Sequence, residues 1–128
     1  MATLRQTALE TFLVRTIKAR LNTLIVGAPG GGKTAIEARA ATRAEAENFV
    51  MHPSIGDPTD AKGFPFVVDG KAEFIPFGEL RRVYEAIDAG KLVSLFLDDL
   101  GLGTPAVQGS YMSLMDKLRG KCTVIAAT

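Results

Sequence analysis

The chain has 128 residues, 47% of them hydrophobic and 23% charged, with a formal net charge of +1. That length makes one domain able to bury roughly two-thirds of its unfolded surface, and the charge balance gives no global reason to bind nucleic acid or an anionic membrane. The one cysteine, Cys122, excludes an internal disulfide and, set in an apolar run, reads as a small core residue.

Met1 to Arg20 scatters charges without an apolar block, so it does not read as a signal peptide, and no apolar stretch reaches spanning length. A cytoplasmic protein without membrane contact is expected. Leu9, Phe12, Leu13 and Ile17 recur at helical spacing with Glu10, Arg15 and Lys18 between them, which predicts an amphipathic first helix with a solvated basic face. "TLIV", Thr23 to Val26, is β-branched, short and stopped by glycine, as a strand should be. Lys33 to Glu47 is alanine-rich and predicts a helix that packs closely on a sheet. "FVMH", Phe49 to His52, predicts the second strand.

From Pro53 to Pro76 glycine and proline are dense, the mark of a long functional or mobile connection. Within it, Asp69-Gly70 between "FVV" and "KAEFI" predicts a two-residue hairpin. Leu80, Val83, Tyr84 and Ile87 mark a helix closed by Gly90, and "LVSLFL", Leu92 to Leu97, a strand covered on both faces. Thr104-Pro105 supplies an N-cap and a first-turn proline for a helix whose inward stripe is Val107, Tyr111, Leu114, Met115 and Leu118. "CTVIAA", Cys122 to Ala127, is the last strand. Strands alternating with helices predict an α/β fold with a parallel sheet between two helical layers.

Two stretches carry chemistry. "GAPGGGKT", Gly27 to Thr34, fits G-x-x-x-x-G-K-[ST] between a predicted strand and a predicted helix, the context that this phosphate-binding pattern requires. Gly27, Ala28, Pro29, Gly30, Gly31 and Gly32 would form the turn, its glycines letting backbone N–H groups point inward around an anion. Lys33 would neutralise phosphate oxygens and the Thr34 hydroxyl would ligate Mg²⁺. "SLFLDDLG", Ser94 to Gly101, ends an apolar strand in two adjacent carboxylates, which suggests a cation at that end. Asp98 is the candidate metal ligand and Asp99 the group that would orient or deprotonate a water attacking the γ-phosphate. The bland alternatives are a glycine-rich turn and a solvated acidic turn.

With these two motifs on one chain, the sequence resembles the AAA+ ATPase module in its MoxR-like, dynein-related branch. "LFLDDLGLGTPAVQGSYMSLMD", Leu95 to Asp116, resembles that branch's D-E-h-N-x-x-x-P-x-x-Q segment, matching at Asp98, Pro105 and Gln108 and departing at Asp99 and Gly101. The resemblance implies a P-loop NTPase sandwich over residues 1–128 that lacks the fifth strand and helical lid. It also implies ATP and Mg²⁺ as cofactors, ATP hydrolysis with Lys33 and Asp99 as catalytic residues, ring assembly and a protein client. Without that fifth strand, Thr23 to Val26 should form an exposed sheet edge. A kinase built on the same cradle and a non-catalytic nucleotide switch are the alternatives. "HPSIGDPTDAKGFPF", His52 to Phe66, also resembles a MoxR-like region; Asp57, Asp60 and Lys62 read more readily as turn-forming residues and His52 as a structural histidine.

Overall fold

Two apolar strands at the centre organise the chain. The computed structural model describes residues 5–27 and 32–128. Six strands and five helices run in the order α1 (Gln6–Ala19), β1 (Thr23–Ile25), α2 (Lys33–Arg43), β2 (Glu47–Met51), α3 (Pro58–Lys62), β3 (Phe64–Val68), β4 (Lys71–Ile75), α4 (Gly78–Asp88), β5 (Val93–Leu97), α5 (Pro105–Lys117) and β6 (Thr123–Ala127). Four of the strands form one parallel sheet ordered β1-β6-β5-β2, and β3 and β4 form a separate antiparallel hairpin.

The two inner strands, β5 and β6, are buried at every position. Their period of two splits the core: Val93, Leu95, Leu97, Val124 and Ala126 face α4 and α5, whereas Phe96, Ile125 and Ala127 face α1 and α2. The expected arrangement of helices on both faces of a mostly parallel sheet is therefore the one observed.

Local chemistry sets the element ends. Thr104 caps α5 by accepting from the Val107 amide at 3.3 Å, with Pro105 in the first turn. Glu10 holds α1 against α2 through Arg39 at 2.6 Å and Arg43 at 2.7 Å, and both guanidinium groups keep its carboxyl below the usual range. The helix expected over Lys33 to Glu47 ends earlier, at Arg43, because Ala44 to Ala46 turn the chain and Glu47 already pairs in β2. The short α3 was not legible from periodicity; Asp57 and Asp60 form a reciprocal capping box around Pro58 at its start.

The register puts the carboxyl ends of all four parallel strands in line: Ile25 lies beside Ala127, Ala126 beside Leu97, and Leu97 beside Met51. The residues that leave the sheet there are Val26 and Gly27, Thr128, Asp98 and His52. Strand β1 pairs on one side only, so the expected sheet edge is present among the described residues, with Leu24 exposed on it.

Candidate functional site

The site assembles where these strand ends meet the start of α2. Lys33 and Thr34 begin α2 directly after Gly32, whose φ of 75° lies in the left-handed region that a glycine takes without strain. Ala28, Pro29, Gly30 and Gly31 belong to the same expected cradle and lie outside the described residues.

Thr34 and Asp98 come together. The Thr34 hydroxyl donates to Asp98 Oδ2 at 3.4 Å, joining residues 64 apart in the chain. Asp98 is held from behind by its own amide, which donates to the Met51 carbonyl at 3.0 Å across the β2–β5 pair. The Lys33 ammonium donates to the Gly27 carbonyl at 3.0 Å and to the Thr128 carbonyl at 3.1 Å. Thr128 in turn accepts from the Gly27 amide and donates its own amide to the Ile25 carbonyl. The cation is therefore tethered by neutral carbonyls.

Asp99 diverges from Asp98. Its φ of 51° is left-handed, and it starts a 3-10 turn over Leu100–Leu102 with its side chain exposed and without a capping hydrogen bond. Asp98 thus meets Thr34, whereas Asp99 is left to solvent.

His52 and Thr128 also belong to this end of the sheet. The His52 imidazole is half-exposed, with Nδ1 3.9 Å from Asp98 Oδ2, so it is not the satisfied structural histidine expected from sequence. Thr128 reaches Lys33 through its backbone and crowds Gly101: a Cβ at Gly101 would collide with the Thr128 side chain. Strand register brings both residues here, and no local pattern announces register.

No cluster of three metal-binding side chains occurs among the described residues. Thr34 and Asp98 nonetheless supply two hard oxygen donors side by side. That fits Mg²⁺, which keeps several waters and takes few protein ligands.

No family model matches the chain, and no curated protein matches it. Among solved structures it is similar to NtrX from Brucella abortus, at 16% identity and a TM-score of 0.55, over 99% of this chain. The match spans 31% of the NtrX chain, and at that identity it establishes a fold: α/β, with a mostly parallel sheet between helices.

These findings correct the reading of the chain as a MoxR-like AAA+ ATPase that hydrolyses ATP to remodel a protein partner. The resemblance rested on Asp98, Pro105 and Gln108, and local structure accounts for two of them. Pro105 opens α5, and the Gln108 amide donates to the Gly103 carbonyl at 2.7 Å and the Gly101 carbonyl at 3.3 Å. Spacing that closes a turn against a helix start repeats wherever that turn is built, so it does not identify a family. No helix of the described residues is long and apolar enough to cross a membrane.

Proposed function

We propose that the carboxyl end of the parallel sheet binds a phosphorylated ligand together with Mg²⁺. The observation that carries this reading is the 3.4 Å contact between the Thr34 hydroxyl and Asp98, made beside the Lys33 ammonium at the N-terminus of an 11-residue helix. A helix start offers free N–H groups and a positive dipole end to an anion, and ligands of open α/β sheets sit beyond the carboxyl ends of the strands. Each residue has one task. Lys33 neutralises phosphate oxygens, Thr34 and Asp98 hold the hydrated cation, and Gly32 lets the backbone approach closely. When bound, the ion would supply positive charge beside Asp98, offsetting the repulsion between that carboxylate and a phosphate.

Calorimetric titration with inorganic phosphate, pyrophosphate and ATP, each with and without Mg²⁺, tests the proposal. At least one of these anions should bind, and Mg²⁺ should strengthen it. Lys33→Ala should weaken binding by about tenfold or more, the worth of a charge-assisted hydrogen bond. Thr34→Val and Asp98→Asn should both remove the Mg²⁺ dependence; Thr34→Val should leave the metal-free affinity, and Asp98→Asn, by removing the facing negative charge, should raise it. Absence of binding by all three anions, or an unchanged affinity in the Lys33→Ala chain, would reject the reading. ATP is included because it is the ligand the sequence pattern names.

A further inference from the structure

A cavity of about 290 Å³ has His52 in its lining, the residue whose Nδ1 is 3.9 Å from Asp98 Oδ2. Its walls include His52, Ile55, Asp60, Phe77, Glu79 and Tyr111. They come from the end of β2, the start of α3, the start of α4 and the middle of α5, four elements that the phosphate site does not use as a set.

Tyr111 is the informative residue. It is 1% exposed, yet it lines the cavity, and its hydroxyl is not among the fully buried unpartnered atoms: the ring is interior and the oxygen opens onto the cavity. A phenol oxygen that faces a cavity can both donate to and accept from whatever enters it. The hydroxyl also senses Asp60: burial pushes its pKa up to about 12, and the negative charge of Asp60 is the second cause. Asp60 and Tyr111 line the same cavity. Asp60 spends one oxygen on the Asp57 amide at 2.8 Å, and Glu79 spends one on Arg82 at 2.6 Å. Each carboxylate keeps a second oxygen.

We propose that this cavity is a binding site for an alkylammonium group, the ammonium lying between the Tyr111 hydroxyl and the Asp60 and Glu79 carboxylates and the alkyl stem against Ile55 and Phe77. An ammonium donates three hydrogen bonds and accepts none, which matches one phenol oxygen and two carboxylates. Phe77 offers an aromatic wall that tolerates the adjoining positive charge. An anionic or neutral ligand would leave the carboxylates facing it unpaired or repelled.

The group has two sources, a free small amine or a lysine side chain of another polypeptide. Binding of butylamine and of a blocked lysine (N-acetyl-lysine N-methylamide) to the full chain, followed by NMR, separates them; each probe that binds supports the site and names its source. Tyr111→Phe keeps the buried ring and removes only the oxygen, so the chain should fold as before by circular dichroism. Its affinity for the amine should fall by about tenfold, as expected for a hydrogen bond to a charged group. Glu79→Gln should weaken binding less and reduce its salt dependence. The proposal is overturned if neither amine binds, if butanol binds as tightly as butylamine, or if Tyr111→Phe leaves the affinity unchanged. Phosphate affinity in Tyr111→Phe should equal that of the parent, which keeps this site separable from the first.

Discussion

Glu37 shows how much one side chain can disclose. It lies fully buried on α2, facing the sheet, where it accepts from the Ser94 hydroxyl at 2.8 Å and the Asn48 amide at 3.0 Å. Burial raises its pKa above the usual 4.5, and the two hydrogen bonds only partly offset that. No cation pairs with it among the described residues, and Asn48 Oδ1 beside it has no partner. Because the folded pKa lies above the unfolded one, the folded state holds its proton longer. The contribution of Glu37 to stability is then fully present below its ordinary pKa and is lost as pH rises through the raised value. Chemical denaturation across that window should show stability falling with pH. The Glu37→Gln chain, with the same volume and no proton to lose, should lack that component of the slope. An identical pH profile for the two chains would contradict the assignment. The sequence displayed Glu37 as one polar residue in an alanine-rich helix; only the packing of α2 on β2 and β5 makes it an interior acid.

Among the elements, the β3–β4 hairpin stands apart, with every residue of both strands exposed. Its turn was legible from Asp69-Gly70, and both residues take the positive φ that such a turn requires, 51° and 78°. Its attachment was not legible. Gly63 takes a φ of 92°, and a Cβ there would lie 2.6 Å from the Ile75 carbonyl oxygen and 2.9 Å from the Pro76 nitrogen, both backbone atoms that cannot swing aside. Gly63→Ala should therefore cost about 2–4 kcal/mol, combining strain at a disfavoured φ with a backbone clash. Gly70→Ala, with open space around it, should cost only about 1 kcal/mol. Urea melts of the two variants give the comparison, and equal losses would show that the hairpin base is not a close approach. The same contrast explains what sequence reading can reach. A turn is written in two adjacent residues, whereas a close approach depends on a residue on the next strand.

For the whole molecule, hydrophobic patterning was enough to expect the layers. The uniformly apolar runs of β5 and β6 require cover on both sides, and helices with apolar stripes supply it. Strand order and register were beyond reach, because every pairing among four short parallel strands satisfies the same pattern. It is register that brings Asp98, His52 and Thr128 to the end of the sheet where Thr34 starts α2, so the sequence pointed to Thr34 and Asp98 through motif spacing, read His52 as structural and gave Thr128 no role. Motif spacing also led to a family that the comparisons do not support, since a proline at a helix start and a glutamine closing on a turn serve local needs. What survives is a claim about position: the first turn of α2 and the end of β5 share one cation. A crystal grown with Mn²⁺ and pyrophosphate tests it most directly, through the anomalous signal of the metal. The account predicts one strong peak between Thr34 Oγ1 and Asp98, with phosphate oxygens beside Lys33; a peak anywhere else, or none at that contact, would contradict it.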